Sequence, residues 1–446
     1  MVTQAARTIP EPARQTPVLA ETDVLVCGGG AAGVGAALAA ARSGARTFLI
    51  EHQSCVGGMA TSGMMNRLGP YHDEREMIVG GIPWEVLQRL IAMNAAHTPE
   101  PCPHSDPDRY WIPFDPEALK FLLDTMLEDS HVDVLLHAYG VGVVGEKGAP
   151  GGVIVESKSG RHAILAKVIV DATGDGDVAA LAGASFEKGR TSDGLMQPMT
   201  TLFKVGDLDR EKVKSFLAEP ENRSFAAAKA DGETFPGYVG PGSDNLLRPR
   251  ETYFNVNHVF GADGTDAASL SRATIAARRR IWAMLRFCKR YVPGFENTYL
   301  IATAAQLGVR ESRRVVGDYI LTVDDVLCAR KFEDAVARYA CWVDIHTMDP
   351  TKQQEAHSGR GLEPGTSYDI PYRCLVPKQV ENLLVAGRCL SATHEALASA
   401  RMIPCCMAMG QAAGTAAALA VTQNVRPRNL DTQRLRAALH EQDVRI

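Results

Sequence analysis

The chain has 446 residues, enough for two or three domains at ~150 residues each and for a large buried core. Hydrophobic residues make up 46% and charged residues 22%, which excludes the disordered and collagen-like classes. Lys and Arg total 47 against 52 Asp and Glu, and the net charge of −5 gives no electrostatic reason to expect nucleic acid or an acidic membrane; a small molecule is the expected partner. Ten cysteines are scattered from Cys27 to Cys406 without a C-x-x-C pair, so they read as buried free thiols, with neither disulfide staples nor a metal site.

Residues 1–20 carry Arg7, Glu11 and Arg14 among prolines and read as a flexible arm rather than a targeting segment, which makes the cytoplasm the expected location. Asp23 to Cys27 then reads as a strand, an Ala-rich run as a helix, and Arg46 to Ile50 as a second strand. Between the first strand and the helix, Gly28-x-Gly30-Ala31-Ala32-Gly33 matches the dinucleotide fingerprint. Its first glycine permits a tight turn, the second lets backbone approach a pyrophosphate, and the third lets helix and strand pack closely. The helix start faces the phosphates. Glu51, at the tip of the second strand, is placed to accept ribose hydroxyls.

Gly140-Val-Gly142-Val-Val-Gly145 fits the same pattern but runs into Glu146-Lys-Gly-Ala-Pro, which cannot open a helix. Runs at 132–136, 141–144, 152–156 and 162–165 are expected to form a small antiparallel sheet instead. Lys167 to Asp171 is a further buried strand, ending in the turn Ala172-Thr173-Gly174 before Asp177. Leu384 to Gly387-Arg388 repeats that form, followed by a helix from Pro404 to Val421. The apolar region 395–421 is interrupted by Arg401, Pro404 and Gln411, so a buried helix is expected and no membrane span.

These segments predict an α/β fold: a Rossmann-like nucleotide-binding domain assembled from residues 21–61, 131–189 and 376–425, with an inserted α+β substrate domain. Residues 62–130 and 190–375 are the expected insert, and 426–446 a helical tail. Within the insert, Asp115 caps a helix running to Asp129. Another helix covers Asp266 to Tyr291, with Arg278-Arg279-Arg280 on a solvated face.

On these motifs the sequence resembles the FAD-dependent oxidoreductases, two-domain flavoproteins related to the fumarate reductase and succinate dehydrogenase flavoprotein superfamily. The likeness rests on Gly28 to Gly33, Glu51, Gly57-Gly58-Met59-Ala-Thr61, Asp171 to Asp177, Gly308 to Arg314, Ile370 to Pro377 and Leu384 to Arg388 with the helix beyond. It implies an FAD site formed by Gly28, Gly30, Ala31, Ala32, Gly33, Glu51, Gly57, Gly58, Met59, Ala172, Thr173, Gly174, Asp177, Gly387, Arg388 and Ala413. Gly57 and Gly58 lack a Cβ and let backbone pass close to the cofactor. The last helix, through Gly410 to Gly414, is implied to direct its N-terminal dipole at the flavin, or to pack closely through small residues, or both. The loop after Gly58 lacks the attachment histidine of the respiratory enzymes, so FAD is expected to be noncovalent. A second fingerprint in a strand-turn-helix context is missing, so NADH and NADPH are expected to be poor direct reductants.

The implied activity is a dehydrogenase, reductase or oxidase that passes hydride between flavin N5 and a small polar metabolite, anionic ones included. Oxygen, a quinone or a protein remains open as the electron partner. The alternative is a flavin-containing component of an electron-transfer or RNA-modification assembly. Among the reacting groups, Arg310 is the preferred holder of a carboxylate or developing enolate, while Arg313 and Arg314 could equally pair with Glu311. Asp344-Ile-His346 alternates as a strand would, placing the acid and the imidazole on one face. His346 and His394 are alternative proton-transfer groups, with Tyr372 and Arg373 behind them.

Overall fold

The computed structural model describes residues 8–146, 148–219, 221–222, 225–233, 242–244, 248–348 and 359–446. Residues 1–7 of the expected arm, and parts of the expected insert, lie outside the described residues. From residue 8 to Pro17 the arm has no helix or strand.

Strand β1 (Val18–Cys27) leads through the glycine turn into helix α1 (Ala31–Arg42) and on to β2 (Thr47–Ile50). Helices α2 (Gly81–Ala92) and α3 (Pro116–Asp129) follow. Asp115 caps α3 by accepting from Glu117 N at 2.9 Å. Next come β3 (Asp133–Leu135), β4 (Tyr139–Glu146), β5 (Ala149–Ser157), β6 (Gly160–Asp171) and helix α4 (Asp177–Leu181). Helix α5 (Ala267–Tyr291) follows, and near the C-terminus lie β7 (Leu383–Val385), α6 (Ile403–Gln423) and α7 (Thr432–Glu441).

Among the described residues the strands form a seven-stranded sheet in the order β3-β2-β1-β6-β5-β4, with β7 also on β6. Strand β6 accounts for this branching. Along one side it pairs with β1 in parallel; on the other, residues 160–165 pair antiparallel with β5, and Ile169 to Asp171 pair in parallel with β7. Two expectations are thereby corrected. The runs at 162–165 and 167–171 are one strand, and the antiparallel meander is an extension of the main sheet rather than a sheet of its own. The run at 132–136 also leaves the meander, because β3 pairs in parallel with β2 as the edge of the nucleotide-binding part.

Helix α6 passes the length and composition test for a membrane span, yet it is buried inside the fold, packed along α1. The two helices interlock through small residues: a Cβ on Gly410 would sit 1.9 Å from Ala32 O, and one on Gly414 2.0 Å from Ala36 O. Helices α2 and α3 join the same core with Val86, Leu87, Leu123 and Met126. The two helices thus share one core with the nucleotide-binding sheet. Strands Ala335–Tyr339 and Tyr368–Pro371 pair antiparallel, and their Val336, Tyr339, Tyr368 and Ile370 lie in this core as well.

A second core belongs to residues 203–300. Strands Phe203–Gly206, Thr252–Phe254 and Tyr299–Thr303 pair antiparallel, and helix α5 (Ala267–Tyr291) packs Ile281, Leu285 and Cys288 onto them. Phe203 and Phe254 stack at 5.0 Å with their planes 8° apart. Asp266 caps α5 through Ser269 N at 2.6 Å, and Arg278 to Arg280 face solvent as expected. In the tail, α7 buries Leu435 and Leu439.

Candidate active site

The C-terminal ends of β1, β2, β6 and β7 open into a cleft of about 400 Å³. Its walls follow from the local backbone. Gly28 turns the chain at φ 96°, a conformation L side chains rarely adopt, and a Cβ there would lie 2.6 Å from Ala172 O. Gly30, at the cap of α1, faces open space, with no atom within 4 Å of an added Cβ. Gly57 (φ 98°) and Gly58 (φ 54°) turn the next loop back against Gly30. Gly33 packs instead of lining: its Cβ would meet Gly28 O at 1.7 Å, which is the helix-strand contact its motif position requires.

Glu51 is 5% exposed and lines the cleft. Burial works against its charge, but hydrogen bonds from His52 Nδ1 (2.9 Å), Gln53 N (2.7 Å) and Gly29 N (2.6 Å) hold its carboxyl below the ordinary value. Asp171, at the end of β6, is fully buried. Burial pushes its pKa up to about 6 although Thr173 and Ala179 donate to it, and those bonds fix the Ala172-Thr173-Gly174 turn. Ala31, Ala32, Met59, Asp177, Gly387 and Arg388 complete the expected lining. Ala413 does not reach it; among the small residues of α6 it belongs to the buried helix-packing core, whereas Ile403 and Cys406 of the first turns do line the cleft. The start of that helix borders the cleft, while its small residues farther along pack against α1.

A second chamber of about 340 Å³ adjoins the cleft across Met59, Arg388, Arg401 and Ile403, which line both. Arg310 and His346 meet in it. Arg310 is 7% exposed and donates to Pro198 O (2.6 Å) and Thr200 Oγ1 (2.7 Å), with Asn255 Oδ1 at 3.4 Å. Burial and the Arg401 charge pull its pKa down to about 9. His346 lies 3.6 Å from Asp344 Oδ2, which also accepts from Arg401 at 2.8 Å. The pair therefore meets as expected, although residues 341–347 form no strand. Burial opposes the Asp344 charge, but His346, Arg401 and Arg310 keep its carboxyl well below the usual range. Burial and Arg310 lower the His346 pKa.

Three expected reacting groups lie elsewhere. The Tyr372 hydroxyl is buried and donates to Pro427 O at 3.0 Å. Arg373 pairs with Asp334 at 2.9 Å. His394 lines neither cavity: it is buried with Nδ1 2.7 Å from Glu311 Oε2, and Glu311 also accepts from Arg314. Tyr372 and Arg373 thus spend their polar groups on Pro427 and Asp334, whereas His394 pairs through Nδ1 and keeps Nε2 buried without a partner. Arg314 is the partner of Glu311, while Arg313 bonds Asp177 at 2.7 Å on the cleft rim.

Arg401 and Asp344 emerge as site residues beyond those expected to react; His258 does not line the chamber but lies 3.5 Å from Arg310. The signal for Arg401 was its charge inside an apolar run. Asn66, Trp111 and Trp342 also line the chamber, and no motif marks them.

The sequence matches the FAD dependent oxidoreductase family over residues 23–439. The chain belongs to that family. Among solved structures, this FAD dependent oxidoreductase is similar to a geranylgeranyl bacteriochlorophyll reductase-like protein from Thermoplasma acidophilum, with 14% identity, 95% of this chain and 84% of that one covered, and a TM-score of 0.45. It is also similar to p-nitrophenol 4-monooxygenase PnpA from Pseudomonas putida DLL-E4, at 12% identity, 96% and 85% coverage and a TM-score of 0.44. The myxobacterial chondrochloren halogenase CndH gives 14% identity, 94% and 78% coverage and a TM-score of 0.43.

The cofactor of this enzyme is FAD, and the cleft fits it. The open space at Gly30 and the start of α1 suit a pyrophosphate, and Glu51 suits a ribose. Gln306 Oε1 and Arg388 Nη1, buried side-chain atoms without a protein partner, belong to residues of the same wall and offer an acceptor and a charged donor to a polar ring system.

Proposed function

We propose that this oxidoreductase transfers hydride between FAD in the cleft and a small anionic metabolite in the adjoining chamber, acting as a dehydrogenase, reductase or oxidase. One observation carries this reading: Arg310 is a buried cation whose described partners are neutral. The nearby carboxylate, Asp344, is engaged by Arg401. An unpaired buried charge is unfavourable by several kcal/mol on the order of a buried ion's desolvation, so the site favours a ligand that brings the counter-charge.

FAD supplies the two-electron redox chemistry. Arg310 holds the substrate carboxylate and orients the reacting carbon toward the wall shared with the cleft. His346, kept neutral by burial and by Arg310, accepts the proton released when substrate is oxidised, or returns it in the reverse direction. Asp344 orients the imidazole and stabilises its cation, and Arg401 keeps Asp344 ionised.

The test is anaerobic bleaching of the FAD-loaded protein by a panel of small hydroxy acids, each paired with its neutral amide. Acids should bleach the flavin where amides do not. Arg310→Ala should keep FAD yet slow bleaching by about a hundredfold or more, the scale of removing one electrostatic donor. Amides that bleach as fast as acids would overturn the reading.

A further inference from the structure

The chamber carries more recognition chemistry than an anion alone would use. Asn66 is 2% exposed, lines the chamber, and its Nδ2 has no hydrogen-bond partner. A buried amide donor left unmatched is unfavourable, so it calls for an acceptor on the ligand. Asn66 and Arg310 sit on different walls. Asn66 O accepts from Phe114 N at 3.0 Å, beside the strand pair Arg67–Leu68 and Ile112–Pro113. Arg310 is anchored to Pro198 and Thr200, at the pair Met199–Thr200 and His258–Val259.

Apolar surface is provided as well. Trp111 follows Tyr110 directly and meets Trp342 edge-on, with ring centroids 5.3 Å apart and planes at 84°; both indoles line the chamber and stay partly exposed. Trp342 is stacked on the buried Tyr110 at 5.0 Å, which holds its ring in place. Fixed aromatic walls select flat apolar ligands at little entropic cost.

We propose, resting on the anionic-substrate reading above, that the substrate is an aromatic carboxylic acid carrying a second, uncharged acceptor away from its carboxylate. Arg310 takes the carboxylate, Trp111 and Trp342 flank the ring, and Asn66 donates to the second acceptor. Trp342 and Asn66 are thus specificity-determining residues.

The experiment is calorimetric titration of the FAD-loaded protein with 4-acetylbenzoate, benzoate, acetate and 4-acetylbenzamide. Binding of 4-acetylbenzoate should be the tightest, benzoate weaker by about tenfold for the missing hydrogen bond, and acetate weaker again by about tenfold or more for the missing ring. Asn66→Ala should erase the advantage of 4-acetylbenzoate over benzoate, and Trp342→Leu, checked for full FAD content, should reduce the advantage of benzoate over acetate. If acids bind in an Arg310-dependent way but acetate equals benzoate, or the acetyl advantage survives Asn66→Ala, this inference falls while the anionic reading stands. If 4-acetylbenzamide binds as well as 4-acetylbenzoate, or none of the acids binds, the anionic reading falls and takes this inference with it.

Discussion

Nη2 of Arg310 lies 3.5 Å from Nε2 of His258, so charging the imidazole would set two cations side by side in a buried site. Burial, then the charges of Arg310, His346 and Arg280, push the His258 pKa down to about 3, with Asp344 pulling the other way. The unfolded chain binds more protons than the folded one between that value and the ordinary value of 6.5. His258 therefore makes stability rise with pH across this window, by at most ~1.4 kcal/mol per pH unit, and the contribution is lost on acidification. Thermal melts from pH 4 to 7 should show a shallower slope for His258→Gln than for the parent. Asp171, whose carboxyl is raised to about 6, acts in the opposite sense in both proteins and cancels in the difference. Equal slopes would show that His258 is not held neutral by the fold.

For His346, burial and Arg310 depress the pKa below 6.5, so the imidazole is neutral at pH 7 and ready to accept a proton. Flavin reduction by substrate should then fall on the acid side of pH 6.5, as protonation removes the base. Replacing His346 by Gln should flatten that limb and slow reduction by about 10²–10⁴-fold. Stopped-flow reduction across pH 4.5–8 checks it; an unchanged acid limb in the variant would assign the limb to another group.

Glu51 accepts from Gly29 N at 2.6 Å and Gln53 N at 2.7 Å, using one oxygen for each. A glutamine there must turn its NH₂ toward one of these N–H donors. Glu51→Gln should therefore weaken FAD binding by about 1.5–3 kcal/mol, through loss of a charge-assisted acceptor and disturbance of the glycine turn. Fluorescence titration of the apoprotein with FAD measures this directly. A folded variant with parental affinity would remove Glu51 from the cofactor site.

The contact of α1 with α6 admits no side chain at Gly414, where a Cβ would approach Ala36 O to 2.0 Å. Gly414→Ala should force the two helices apart and cost about 1–3 kcal/mol, the usual penalty for overpacking. Gly151 is the control, since no atom lies within 4 Å of its added Cβ. Denaturant midpoints of the two variants should separate clearly; equal midpoints would mean that the helix pair can yield.

The glycine turn was legible because its information is local. Gly28, Gly30 and Gly33 recur at a fixed spacing, with Gly28 at a positive φ and Gly33 packed on Gly28 O five residues back, Glu51 is placed by the length of one strand-helix-strand unit, and the caps Asp115 and Asp266 by bonds two or three residues away. The family motifs extended this to the turn at Ala172 to Gly174 and to Gly387 and Arg388, all of which line the cleft. The pairing of β3 with β2 was not legible, because a short apolar run reads the same in a parallel edge strand as in a meander, and its partner is set by how α3 packs on the sheet.

By itself, then, the sequence determined the nucleotide turn, the carboxylate beside it and the flavoprotein class, since each depends on residues near one another along the chain. Only the tertiary structure decided which polar residues become a site. Arg310, the pair Asp344 and His346, and Arg401 come from three places in the sequence and converge on one chamber. Tyr372, Arg373 and His394, of equally promising residue types, are engaged by Pro427, Asp334 and Glu311 instead. A side chain's chemistry is set by its neighbours in space, through burial, competing hydrogen bonds and unpaired charge, and the partners of Tyr372, Arg373 and His394 lie 55, 39 and 83 positions away, beyond the reach of any local pattern.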